Sequence, residues 1–504
     1  MRFQIFFARP RREYGSKHMS IRFPFPLASA FILVLLGQST FAATRPPNIV
    51  FILIDDMGWK DVGCNGSKFY ETPNIDALSR RGIRFTNAYA ACPVCSPTRV
   101  SILTGKYPAR LHLTDWLPGR GDMNTQKLLR PKIIDHMPLE ENNLAKALKA
   151  AGYRSASIGK WHLGDEQYLP EKQGFDVNVA GTKAGSPPGG YFHFHTPTLT
   201  LPAKNDDEYL TDRLTDEAEK FIEQSKDGPF FLYFAHYAVH IPLMAKAALI
   251  AHFESKARPD DPQNNAIYAA MIQSVDESVG RIVKKLDALH LSDNTIIVFT
   301  SDNGGLAVKE GPHTPSTSNA PLRGGKGDLF DGGIREPLLI VYPPLIHPGS
   351  TCDTPMISTD YYPTLMNLAG VKPQPNQILD GVDLLPLLNG TGKPSRHTIF
   401  WHYPHYANQG FHPGGALRQD DWKLIQFYED MHVELYNLAN DMGEQHNLAE
   451  TMPEKAAELK KVLEDWRVSV NAQMPTPNPN YGKPATRPNS GAKGPQARSN
   501  WDID

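Results

Sequence analysis

The chain has 504 residues, 40% of them apolar and 21% charged, with 52 lysines and arginines against 54 aspartates and glutamates. That length exceeds what one small core needs and predicts one large domain with a smaller one beside it. A formal net charge of −2 excludes the global basic field that holds nucleic acid, so affinity for any anion has to be local.

The N-terminal stretch MSIRFPFPLASAFILVLLGQSTFAA has a basic start, an apolar run at 27–36 and small residues at Ala42 and Ala43, the pattern of a secretory signal. Residues 1–43 are assigned to it, with Met19 as the alternative start and a single membrane anchor as the alternative fate. No later run reaches the ~18 apolar residues of a spanning helix, so no stable membrane span is expected after cleavage. The mature protein is expected to be exported, to a periplasm or the medium. Export permits disulfides, yet Cys64, Cys92, Cys95 and Cys352 are too few for a disulfide framework at this size.

PPNIVFILIDDMGW is an unbroken apolar run ending in two aspartates, which suits a strand buried on both faces of a parallel sheet. PNIDALSRRG reads as a short helix and IRFTNAYA as a strand. Residues 96–104 read as a helix with Pro97 in its first turn and Gly105 past its end. NNLAKALKAAGY is a helix followed by the strand RSASIG, and a helix at 211–224 leads into the strand PFFLYFA. Residues 266–289 form a long helix, and NTIIVFTSDNGG is another buried strand with an acidic end. This alternation predicts an α/β fold over residues 44–388, with a mostly parallel central sheet flanked by helices. Beyond it, HTIFWHY, GALRQDDWKLIQFYE, MHVELYNL and the amphipathic PEKAAELKKVLEDWRVSV predict a smaller C-terminal antiparallel sheet plus helix at 389–470. Residues 471–504 are rich in Pro, Asn, Gly and Ser and are expected to be disordered.

Ligands of open α/β sheets sit at the carboxyl ends of the strands. Two of the apolar strands end in Asp55-Asp56 and in Asp302-Asn303. Either pair alone reads as a turn cap. Two such pairs on equivalent strand ends favour a cation, and hard oxygen donors select Ca²⁺ or Mg²⁺ over zinc. Cys95 falls at a helix N-terminus, where free N–H groups attract anions, and Arg99 is one turn further on the same face. A zinc reading of Cys92 and Cys95 lacks a second ligand pair, and a redox reading lacks a thioredoxin-like context. A reactive cysteine beside Arg99 is the better account. In GKWHLG an extended backbone points Lys160 and His162 to one face, although each alone reads as a surface lysine and a packed histidine. In FAHYAVHIP, His240 is the site candidate and His236 the structural one. PLRGGKGDLFDGG offers Lys326 on a glycine-rich loop that can approach an oxyanion, with Arg323 and Arg335 as structural groups.

In this order, NIVFILIDDMGW, CSPTRVSILTGKYPAR, GKWHLG, HIP, TSDNGG and PLRGGKGDLFDGGIREP resemble the motifs of the type I sulfatase family, of the alkaline phosphatase superfamily. ALRQDDWKLI and ELYNLANDMGEQHNLAE resemble that family's C-terminal subdomain. Thr98 stands where serine or alanine is more usual, and Asp441-Met442 where Asp-Pro is. The resemblance implies a sulfuric ester hydrolase in which Cys95, not Cys92, is oxidised by a formylglycine-generating maturase to formylglycine (3-oxoalanine), whose hydrate is the nucleophile. It implies Ca²⁺ held by Asp55, Asp56, Asp302 and Asn303, with the modified Cys95 facing the ion. It places Arg99, Lys160 and Lys326 on the sulfate oxygens and Asp302 beside the attacking oxygen. His240 then protonates the departing alcohol, and His162 removes the proton that lets the aldehyde reform.

Export and such a scaffold point to a sulfated carbohydrate substrate. WHYPHYANQGFHPGGALR offers His402, His405 and His412 as substrate contacts, each of which also reads as a structural histidine, and GTKAGSPPGGYFHFH is a second pocket loop. Two other readings stand beside this one. A phosphate or phosphonate ester hydrolase of the same superfamily would need a second Asp/His metal set in its two-zinc form. A non-catalytic exported glycan-binding protein would have no need of Cys95.

Overall fold

The computed structural model describes residues 13, 15–21, 45–199, 201–205 and 207–484. The apolar run of the expected signal segment and residues 485–504 of the expected disordered tail lie outside them.

The apolar run NIVFILI forms the strand β1 (Asn48–Ile54), buried at every position. An apolar strand of this kind needs cover on both faces and pairing on both edges, and it has both. The remaining strands of its nine-stranded sheet are β2 (Ile83–Tyr89), β3 (Arg154–Gly159), β4 (Val177–Val179), β5 (Phe230–Ala235), β6 (Thr295–Ser301), β7 (Arg335–Val341), β8 (Ser350–Cys352) and β9 (Met356–Ile357). Their order is β9-β2-β7-β6-β1-β5-β3-β4, with β8 also on β2. β1 pairs in parallel with β5 and β6, and β3 in parallel with β5 and β4. Only β7 runs against its neighbours, antiparallel to both β6 and β2. The mostly parallel sheet of the sequence reading is present, with one reversed strand inside it.

The pleat of β1 divides the core in two. Val50, Ile52 and Ile54 face one apolar layer, built with α1 (Pro73–Arg81) and two longer helices further along the chain. Ile49, Phe51 and Leu53 face the other, built with α2 (Cys95–Thr104) and α3 (Leu144–Ala150). The two longer helices are α4 (Leu210–Ser225) and α5 (Ala266–Ala288). The register sets Leu53 beside Ala235 and Ile54 beside Ser301. The carboxyl ends of β1, β5 and β6 are therefore level, and the residues that follow them emerge side by side.

The C-terminal sheet is an antiparallel meander of β10 (Thr398–Tyr403), β11 (Gly414–Gln419), β12 (Trp422–Phe427) and β13 (Val433–Asn437), covered by α6 (Pro453–Ser469). Trp401, Leu424, Leu435, Leu459 and Leu463 share an apolar cluster with Tyr89, Cys92, Tyr107 and Leu329 of the large sheet's side. The small sheet is thus joined to the large one through a common core, and the described residues from Arg45 onward form one unit. The described part of the tail is ordered. Thr476–Pro477 pairs antiparallel with Leu128–Leu129, and the Asn478 side chain donates to the carbonyls of Met123 and Gln126. No helix among the described residues is long and apolar enough to cross a membrane.

Candidate active site

Asp55 and Asp56 follow β1, and Asp302 and Asn303 follow β6; all four are buried. Asp56 has a left-handed backbone (φ 62°) that turns its side chain toward the neighbouring strand end. Its N–H donates to Asp302 Oδ1 at 3.2 Å, and its own Oδ1 accepts from Asn303 Nδ2 at 2.7 Å. Three protein cations close around the carboxylates. Lys160 Nζ lies 2.7 Å from Asp55 Oδ2, Lys326 Nζ 2.8 Å from Asp56 Oδ2, and Arg99 meets Asp302 through Nε at 2.9 Å and Nη2 at 2.7 Å.

Burial pushes the Asp55 carboxyl well up, with Asp302 and Asp56 adding to it and Lys160 opposing it. Burial would raise Asp56 too, but Lys326 and His240 outweigh it and hold that carboxyl below the usual range. Two oxygens, Asp55 Oδ1 and Asn303 Oδ1, are buried without a hydrogen-bond partner. Orphaned acceptors among carboxylates at adjoining strand ends fit a hard, oxygen-seeking cation. Single ligand atoms of Asp55, Asp56 and His240 also come within 4.8 Å of one another.

Cys95 is the first residue of α2, and all ten residues of that helix are buried. The helix ends at Gly105, whose left-handed φ of 71° lets its N–H cap the Ser101 carbonyl. Arg99 is fully buried one turn from Cys95, its Nη1 donating to the Lys160 carbonyl at 3.0 Å. Burial raises the Cys95 thiol, with Lys160 opposing. Its Sγ lies 3.3 Å from His162 Nδ1. His162 Nε2 is 2.6 Å from the Leu117 carbonyl, and a carbonyl can only accept. That nitrogen carries the proton, and Nδ1 is the free base facing residue 95. The Ser96 hydroxyl donates to the His162 carbonyl and accepts from Leu117 N, which ties the imidazole to both anchors. Burial and then Lys160 depress His162 well below the ordinary histidine value.

His240 Nδ1 is 2.7 Å from the Ile241 carbonyl, leaving Nε2 directed at Asp56 Oδ2 at 3.7 Å. Burial and Lys326 lower its pKa to about 3. Burial works against the Lys326 ammonium as well, but Asp56 outweighs it and raises that pKa. Cys95, His162, His240 and Lys326 line a common cavity of about 580 Å³. A buried residue at a helix N-terminus, an oriented base, an imidazole with one free nitrogen and a lysine thus surround one space. Such a set can bind an anionic ester and move protons on both sides of it.

A family model described as Sulfatase matches residues 47–371, and one described as N-sulphoglucosamine sulphohydrolase, C-terminal, matches residues 325–469. The chain belongs to the sulfatase family. It is 32% identical to a sulfatase of Formosa agariphila, across 87% of this chain and 92% of that protein. Identity to N-acetylgalactosamine-6-sulfatase of Mus musculus is 35%, across 72% of this chain and 70% of that one. The crystal structure of Ps i-CgsB in complex with k-i-k-neocarrahexaose superposes with a TM-score of 0.72 at 32% identity, covering 84% of this chain and 93% of that one.

The sulfatase cavity does not take up the three histidines expected as substrate contacts. His402 is buried, with Nδ1 2.7 Å from Tyr428 Oη and Nε2 2.9 Å from the Gln473 carbonyl. His405 is buried against Thr114, with Nε2 2.8 Å from its hydroxyl, and faces Asp115. His402 thus joins the small sheet to the segment after α6, His405 faces the 114–115 segment, and neither lines the cavity. His412 is exposed and pairs with Glu429 at 3.3 Å, also outside the lining. The same loop nevertheless reaches the cavity through Asn408 and Gln409, and the loop GTKAGSPPGGYFHFH reaches it through Lys183, Ala184, Gly185 and Ser186.

His236 is packed behind β5, with Nε2 3.3 Å from Ser278 Oγ. Arg323 donates to Tyr436 Oη and the Glu444 carbonyl, and Arg335 to the Thr86 carbonyl. These three are structural, as read. All four cysteines are free, and Cys92 points at the Thr114 carbonyl, away from residue 95. The sequence reading missed Trp116, Asp135, Asp165 and Glu310 of the lining, which come from irregular loops with no periodic signal.

Proposed function

We propose that this sulfatase is exported and removes sulfate from a carbohydrate outside the cytoplasm, with residue 95 matured to formylglycine and Ca²⁺ held by Asp55, Asp56, Asp302 and Asn303. The observation that carries the reading is residue 95 itself, at the buried N-terminus of α2 and within 3.3 Å of an oriented imidazole nitrogen. The orphaned oxygens of Asp55 and Asn303 support the ion. When bound, Ca²⁺ supplies positive charge to the sulfate oxygens, and the hydrated aldehyde supplies the attacking hydroxyl.

The chain's own residues do the rest. Arg99, fixed in orientation by Asp302 and the Lys160 carbonyl, joins Lys160 and Lys326 in binding the sulfate oxygens and aligning sulfur with residue 95. The three cations are already matched by three carboxylates, so the ion would bring an excess charge of which an incoming sulfate monoester offsets half. His240, once it has taken up a second proton at Nε2, gives that proton to the departing alcohol oxygen; the sulfate's negative charge favours the doubly protonated ring against the lowering that burial and Lys326 impose. His162 Nδ1 takes a proton from the oxygen on residue 95. The sugars bound in similar solved structures, k-i-k-neocarrahexaose in one and D-glucosamine-2-N,6-O-disulfate in another, support a carbohydrate substrate.

The test is mass spectrometry of the tryptic peptide 85–99 from protein made with a maturase, together with turnover of matched aryl sulfate and aryl phosphate. An aldehyde at residue 95 with preferred sulfate turnover is expected. An unmodified thiol in fully active protein, or preference for the phosphate, would overturn the reading.

A further inference from the structure

The anion-binding floor of the cavity has walls of the opposite sign. Above Lys326, the charged groups lining the walls are Asp135, Asp165, Glu310 and Lys183. Lys183 Nζ lies 3.3 Å from Glu166 Oε1 with both side chains exposed, and Asp135 Oδ1 lies 2.8 Å from His136 Nδ1. Glu310 is held in place, its N–H donating to Thr314 Oγ1 at 2.7 Å and its carboxylate accepting from Gln409 Nε2. It is near enough to Lys326 to raise that group's pKa. Glu310 also lines an adjoining cavity of about 420 Å³, whose other walls are Ile241, Pro242, Leu243, Met244, Gly311, Pro312 and His313.

We propose that the site selects a sugar carrying no second anion beside the sulfate it loses, and that Glu310, Asp135 and Asp165 enforce that choice. The inference rests on the carbohydrate reading above. Carboxylates only accept hydrogen bonds at neutral pH, and sugar hydroxyls supply donors for them. A second sulfate or a uronate carboxylate would meet the same oxygens as a like charge, above all at the half-buried Glu310 since Asp135 and Asp165 are exposed, while the floor cations are committed to the scissile group. The neighbouring cavity, apolar but for Glu310 and His313, offers such a substituent no cation.

The experiment measures kcat/KM of the matured enzyme on the full sets of galactose and N-acetylglucosamine monosulfates and on the disulfates derived from each. For any monosulfate turned over, its disulfate is expected to be at least about tenfold poorer, and Glu310→Gln, which keeps the acceptor for Gln409, to shrink that ratio at least about threefold. The ratio is read within each variant, so a general loss of activity in Glu310→Gln cancels from it. Asp165→Asn provides a second variant with the same expected direction. Equal turnover of mono- and disulfates, or a ratio unmoved by both variants, would overturn the inference and leave the sulfatase reading intact. Turnover of an aryl sulfate but of no sugar sulfate would overturn the carbohydrate reading on which it rests.

Discussion

Lys160 reaches Asp55 because the residue before it is glycine. Gly159 has φ +100°, and a β-carbon there would stand 1.9 Å from the Ala235 carbonyl, which accepts from Lys160 N at 2.7 Å. Gly159→Ala is therefore expected to destabilise the fold by more than the ~1–3 kcal/mol of a strained backbone alone, because the clash adds to it. Thermal unfolding checks this, and a midpoint equal to wild type would contradict it. Cys95 presents the opposite case. Its side chain makes one polar contact, with His162, so Cys95→Ala removes little packing and is expected to leave the unfolding midpoint within a few degrees while abolishing turnover. Wild-type rates in that variant would remove residue 95 from the mechanism.

The loop carrying Lys326 is fixed to the small sheet by a buried ionic cluster. Lys423 of β12 lies 2.7 Å from Asp331 and 2.8 Å from Glu444, whose other oxygen accepts from Asp331 N at 2.7 Å. Burial pushes Glu444 up to about 7 even with Lys423 beside it. Lys423→Met would leave Glu444 without its cation and Asp331 with Arg335 at 3.5 Å, at a cost of up to about 3–5 kcal/mol. Denaturant titration should show that loss, and Lys423→Met with Glu444→Gln should recover part of it; an unchanged midpoint in the single variant would show that the cluster contributes nothing. No sequence pattern marked this cluster, because its members lie far apart in the chain. What was legible follows from the same physics. β1, β5 and β6 are buried on both faces and so read as unbroken apolar runs ending at the site. β7 opens with Arg335, Glu336 and Pro337, which hid a strand that is buried throughout. His402 and His405 looked like sugar contacts by composition, yet they sit in or just after β10, and only the packing of one sheet on another turns that segment inward.

At the scale of the whole molecule, the proposed ion would join the ends of β1 and β6, the two central strands from which both apolar layers are built. Its four ligands are formed only when those strands are paired, so an ion that binds the folded chain and not the unfolded one must stabilise it. The gain is about 2.7 kcal/mol at a hundredfold excess over the dissociation constant. Removing Ca²⁺ with a chelator should therefore lower the unfolding midpoint by several degrees and suppress turnover in parallel, and added Ca²⁺ should restore both. The shift should persist in Cys95→Ala, where no turnover exists to confuse it, and should largely vanish in Asn303→Ala, which removes one orphaned oxygen while leaving all three carboxylates. A midpoint in wild type and Cys95→Ala alike that ignores both chelator and Ca²⁺ would contradict the metal assignment, because carboxylates this deeply buried cannot accept a dication without a change in the stability of the strands that carry them.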